Sequence, residues 1–159
     1  MPALSELKYL IALKAIPMVG DILARRLLSE FGMAETLFDF SVQDMLARPG
    51  VSKNIADLIY KNKEKALALA EKELEYVEKH GVKTVHFFEE HYPARLKHCL
   101  DAPLYLFYKG EFDFNAKHVV SIVGTRSSTI YGRNMSSKIV KDLGLPDLQI
   151  VSGMAYGID

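Results

Sequence analysis

The sequence predicts a mixed α/β chain, with an all-helical domain over residues 1–80 followed by the first part of a parallel sheet over residues 81–159. Three observations carry that expectation. Up to Gly81 the apolar residues recur at helical spacing between capping and stop signals. After Gly81 they gather into short β-branched or aromatic runs bounded by Gly, Pro, Asp or Ser. The last two of those runs flank a helical pattern, and strand, helix and strand within roughly 35 residues make a right-handed βαβ crossover with parallel strands.

Each element follows from local signals. Ser5 is placed to cap a first helix whose Leu7, Leu10, Ile11 and Leu13 share an apolar side. Pro17 ends it, and Asp21 is placed to cap DILARRLLSEF, which stops at Gly32. Ser41 and Asp44 have the spacing of a capping box before a short helix. Ser52 then caps SKNIADLIYKNKEKALALAEKELEYVEKH, closed by Gly81. The second half of that stretch, with Glu75 and Lys79 paired at i,i+4, reads as a solvated strut. KTVHFF, LYLFY, HVVSIVG and LQIVSG read as strands. VVSIV has so little polar alternation that its strand is expected to be buried on both faces. Residues 132–143 form the crossover helix, with Met135, Ile139, Val140 and Leu143 inward.

Composition narrows the function classes. The chain has 159 residues, 49% hydrophobic and 25% charged, with zero formal net charge, which is globular and lacks the positive excess of a diffuse nucleic-acid surface. Any anion site must therefore be local. The single Cys99 excludes a disulfide framework within the chain and suits a reducing compartment. No apolar stretch approaches the roughly 20 residues that span a bilayer. The N-terminus carries Glu6 and no cleavage signal, so a cytoplasmic protein without membrane contact is expected. His86, His91, His98 and Cys99 fit no common zinc spacing, and the loops hold no hydroxyl–histidine–carboxylate arrangement. No metal, cofactor or catalytic residue is assigned, and HFF and YLFY read as core strands.

The helical part contains an echo. IPMVGDILARRLL and RPGVSKNIADLIY share Pro, a turn and an amphipathic helix, the outline of helix–hairpin–helix elements in a small SAM-like domain. Turn glycines in such elements let a phosphate approach the bare backbone. Met18 stands where the first copy needs glycine, and Asp21 adds a negative charge; Ser52 replaces the second glycine of the other copy. Packing within a bundle is the plainer reading of these turns, and DNA contact the alternative.

The stretch SIVGTRSSTIYGRNMSSKIV concentrates the chemistry. Gly124 permits a tight turn off a strand, and the first amides of the following helix, with its dipole, favour an anion there. Arg126 adds a permanently charged fork suited to phosphate oxygens, and Thr125, Ser127, Ser128 and Thr129 add hydroxyl donors. Five basic residues (Lys117, Arg126, Arg133, Lys138, Lys141) and no acidic one lie between Lys117 and Lys141. Neither G-x-G-x-x-G nor G-K-[ST] is present, so dinucleotide and P-loop readings fail. IVSGMAYGID places Ser152, Gly153 and Gly157 after the next strand, where parallel sheets bind ligands if the two strands are neighbours. Asp159 reads as the N-cap of a helix.

With both loops in view, the chain resembles the DprA family (also called Smf) of bacterial DNA-processing proteins. The matching stretches are IVGTRSSTIYG, IVSGMAYGID and YPARLKHCLDAPLYLFYKG. The resemblance implies a helical N-terminal module and a Rossmann-like domain without enzymatic activity. That domain would bind and protect single-stranded DNA, help load RecA in natural transformation and recombination, and form a homodimer. It carries phosphate-binding roles onto Gly124, Thr125, Arg126, Tyr131, Gly132, Ser152, Gly153 and Gly157, with Arg126 as the main ligand; Ser127, Ser128 and Arg133 join them from the residue reading. Tyr156 stands where many relatives carry arginine, which removes a charge from the groove or substitutes stacking against a base. The chain stops at Asp159 where a helix should begin, so a fragment is expected, its unfinished sheet prone to association. A nucleotide or phosphorylated-sugar enzyme of the phosphoribohydrolase type is the alternative, and it needs a carboxylate facing Arg126.

Overall fold

A computed structural model describes residues 2–145 and 147–159, with side chains from Glu6 onward. Apolar spacing at the N-terminus builds helix α1 (Pro2–Ala15), whose Leu10, Ala12 and Leu13 are wholly buried. The helix is already formed at Pro2, and the Ser5 side chain, expected as its cap, lies outside the described residues. Helices α2 (Asp21–Phe31), α3 (Ala34–Asp39), α4 (Val42–Leu46) and α5 (Lys53–Lys79) complete the helical layer. The Ser41–Asp44 capping box forms as expected, with reciprocal bonds of 3.2 and 3.1 Å. Ser52 likewise caps α5 by accepting the Ile55 amide at 3.4 Å.

Three expectations change here. Helix α3 has no counterpart in the sequence reading, because six residues are too few for a periodic signal. It is held from outside: the Ala34 amide donates to Glu6 Oε1 at 2.8 Å, and Leu37 is fully buried. The second half of α5 is not only a solvated strut. Ala66 and Ala70 are buried where α5 packs along α1, since alanines permit close helix approach, and Lys8 bridges to Glu71 at 2.7 Å. Asp21, finally, is not a cap. Gly20 occupies the N-cap of α2 without a side-chain bond, while the Asp21 carboxylate pairs with Lys14 at 2.8 Å and accepts the Leu104 amide at 2.9 Å.

The two echoing turns follow the same backbone path. Met18 and Gly50 both take left-handed conformations, at φ 64° and 74°. Gly20 and Ser52 then take extended N-cap conformations at the same φ of −81°, and Ala24 and Ala56 are wholly buried one turn later. Met18 adopts this path without a glycine and leaves its side chain 89% exposed.

Strands β1 (Lys83–His86) and β2 (Tyr105–Tyr108) pair antiparallel, Lys83 with Tyr108 and His86 with Tyr105. Between them stands the single turn α6 (Ala94–Lys97). Leu104 is wholly buried in the helical core, with Phe87 and Tyr105 packed against it. Tyr92 is also wholly buried, its hydroxyl donating to the Pro103 carbonyl at 2.7 Å, and Arg25 of α2 donates to the Leu100 carbonyl. Apolar burial thus ties the hairpin to the helices. The chain divides into compact units at Met1–Phe112 and Asp113–Asp159, while the change in composition falls at Gly81.

The second unit is one crossover: β3 (His118–Ser121), α7 (Ile130–Leu143) and β4 (Leu148–Val151), with the strands parallel from His118 beside Leu148 to Ser121 beside Val151. Strand β3 is not buried on both faces, for Val119 and Val120 are half-buried and the following Val123 is 75% exposed. Helix α7 buries no residue fully, and Met135, Ile139 and Val140 stay exposed while Leu143 is half-buried. One helix against two strands cannot remove both sheet faces from water.

Candidate nucleic-acid interface

Because β3 and β4 are parallel neighbours, both following loops leave the sheet at the same edge. The ladder runs one step further, with the Ile122 amide donating to the Val151 carbonyl at 2.9 Å. The loops then touch. The Ile158 amide donates to the Thr125 carbonyl at 3.3 Å, and Gly157, at φ 109°, lies against the same carbonyl. A Cβ on Gly157 would stand 2.1 Å from Thr125 O and 2.8 Å from Arg126 Cα. A Cβ on Gly124 would stand 2.5 Å from Ile158 Cβ. Both glycines are therefore required by contact between the loops.

Hydrogen bonds account for most of the polar residues singled out in the sequence. Thr125 Oγ1 accepts the Ser127 amide at 3.2 Å. Thr129 caps α7 by accepting the Gly132 amide at 3.0 Å, which starts the helix at Ile130 rather than at Gly132. Arg133 donates to the Ser128 carbonyl at 3.1 Å and to its hydroxyl at 3.0 Å, so this guanidinium braces the turn. Ser152 has its Oγ buried without a hydrogen-bond partner, beside a cavity of about 330 Å³ that Ile122, Val140 and Ile158 also line. Gly153 lies under the Asp159 carboxylate, whose Oδ2 is 3.0 Å from the position of a Cβ there.

What remains open to solvent is a cation and several apolar tips. Arg126 is exposed, and among the described residues nothing pairs with its guanidinium. Tyr131, in the first turn of α7, is 72% exposed, and Tyr156, on the second loop, is 90% exposed. Met154 takes a left-handed conformation at φ 53° with its side chain almost fully in solvent. Asp159 accepts the Gly124 amide at 2.9 Å, a role that sequence adjacency to Gly157 and Ile158 does not signal. No group of three or more His, Cys, Asp or Glu side chains that could hold a metal occurs among the described residues. None of their helices is long and apolar enough to cross a membrane.

The family model for DNA recombination-mediator protein A matches residues 83–159, which take in the β1–β2 hairpin and both loops. Over these residues the chain is similar to the DprA/Smf family. It is 38% identical over 80 residues to the DNA processing protein DprA of Bacillus subtilis, covering 50% of this chain and 27% of that one. It is 41% identical over 68 residues to DprA of Streptococcus pneumoniae, covering 43% and 24%. Protein Smf of Synechocystis is 30% identical over 164 residues, covering 98% of this chain and 39% of the relative. The chain thus spans well under half the length of these DprA/Smf relatives.

Proposed function

We propose that the chain acts in DNA processing during recombination and natural transformation, as a non-catalytic binder of single-stranded DNA that helps to load RecA. One observation carries the DNA part: an exposed, unpaired Arg126 stands on the first of two joined loops, with exposed Tyr131 in the first turn of α7 and exposed Tyr156 on the second loop. A guanidinium recognises phosphate oxygens, and aromatic faces stack on bases that only a single strand leaves free. The zero net charge confines this attraction to one edge of the sheet. The Rossmann-like description of the second unit rests on its parallel β3–α7–β4 crossover, and the helix–hairpin–helix description of the first on the matched turns at Met18 and Gly50. RecA loading, a homodimer and a cytoplasmic location are what the resemblance to the DprA/Smf family implies, and they belong to the same proposal.

The test is Arg126→Ala measured with an oligothymidine across a salt series. Affinity should fall about five- to tenfold at low salt, and the slope of log affinity against log salt should lose about 0.7, one single-strand phosphate contact. An unchanged affinity and slope would remove Arg126 from the interface. Turnover of a nucleoside monophosphate would favour the enzymatic alternative.

A further inference from the structure

Gly124 is among the residues expected to bind phosphate, and an internal carboxylate already holds its amide. Asp159 Oδ1 accepts that amide at 2.9 Å, while Oδ2 stands 3.0 Å from where a Cβ on Gly153 would be. One side chain thus reaches the backbone of both loops. The Ile158–Thr125 bond and the Gly157 contact close the same seam. On the far side of that seam, the Thr125 carbonyl and hydroxyl are both engaged, as is the Ser127 amide. Arg126 lies between them in the chain, with its side chain exposed. A carboxylate beside a phosphate site opposes binding by charge alone. Its presence is consistent with binding only where the geometry it holds outweighs that repulsion.

We infer that Asp159 is the positioning residue of this site: its carboxylate clips the two loops together and thereby sets the direction of Arg126, without touching the ligand. What Arg126 meets rests on the single-strand reading above; the clip itself rests on the observed contacts. The Gly124 amide, on this view, is not a phosphate ligand. Asparagine can accept the same N–H through its side-chain oxygen while removing the charge, whereas alanine removes both the acceptor and the charge.

The experiment compares Asp159→Ala, Asp159→Asn and Arg126→Ala with the parent protein by two readouts. One is hydrogen exchange at the Gly124 amide, followed by NMR; the other is affinity for oligothymidine at low and moderate salt. Asp159→Ala should speed Gly124 exchange at least about tenfold and weaken DNA binding roughly three- to tenfold, the scale of one lost charge-assisted hydrogen bond. Asp159→Asn should restore both. Unchanged Gly124 exchange in Asp159→Ala overturns the clip. Faster exchange with unaltered binding overturns its positioning role, and tighter binding in both Asp159 variants reduces the residue to a repulsive charge. If Arg126→Ala leaves binding unchanged, the single-strand reading fails instead, and the exchange data alone decide the clip.

Discussion

Leu10 and Leu37 in the helical unit are wholly removed from water, whereas Ile139 of the crossover helix is 50% exposed. The first unit gathers its apolar residues from five helices and a hairpin into one cluster that extends from Leu7 to Leu104. In the second, neither strand nor α7 contains a fully buried side chain. Its loops are instead fitted closely to one another, Gly157 against the backbone of Thr125 and Arg126, Gly124 against the Ile158 side chain and the Asp159 carboxylate. Substitutions in the first unit should therefore be felt as stability, and those in the loops of the second as geometry.

The widest separation is expected between Leu10→Ala and Ile139→Ala. Removing a wholly buried leucine costs about 2–5 kcal/mol, because the cavity closes only partly. A half-exposed isoleucine loses only part of its transfer energy, about 1 kcal/mol or less. Chemical denaturation of both variants measures the gap. Equal losses would show that α7 is packed far more tightly than its exposure indicates.

Gly157→Ala comes next and reads out differently. The added methyl would meet the Thr125 carbonyl in a left-handed backbone, and either fault alone is unfavourable. We expect a cost of about 2 kcal/mol within the second unit and a loss of DNA affinity larger than that of Arg126→Ala. Far-ultraviolet circular dichroism should stay near that of the parent, since the helical unit holds most of the helix. Retained affinity would mean that the seam between the loops does not shape the site.

The same contrast explains what the sequence discloses. Periodic apolar spacing made α1, α2 and α5 legible, and the Ser41–Asp44 and Ser52 caps were visible because their partners lie within three residues. The βαβ crossover was legible from the alternation of its runs. Contacts across long separations were not. Glu6 holding the amide of Ala34, Asp21 holding that of Leu104 and Asp159 holding that of Gly124 each join residues too distant for a local pattern. In all three a carboxylate accepts a backbone N–H, and a lone Asp or Glu in a sequence does not announce such a bond. At the candidate site the glycines and Arg126 stood out by type, but the division of labour did not. Arg133 braces Ser128, Ser152 is buried at its hydroxyl, and Arg126 stays exposed without a partner among the described residues.

The smallest effect expected is that of Asp21→Asn, and its signature is pH dependence. Burial alone would raise the Asp21 pKa, but the Lys14 ammonium and the Leu104 amide outweigh it and hold the carboxyl below its ordinary value. The folded protein therefore binds this proton less readily than the unfolded chain. Stability contributed by Asp21 is present above the unfolded value of about 4, and is lost as pH falls through the lower folded value. Asparagine keeps an acceptor for the Leu104 amide but loses the charge, so at neutral pH it should cost about 1 kcal/mol. Near about pH 2.5 the parent has given up part of that advantage, and the two denaturation curves should draw together. A gap that is constant from neutral to acid pH would mean that shape, not charge, joins α2 to the hairpin. Asp21 would then contribute to the helical unit as a neutral acceptor for the Leu104 amide, and its pairing with Lys14 would add nothing.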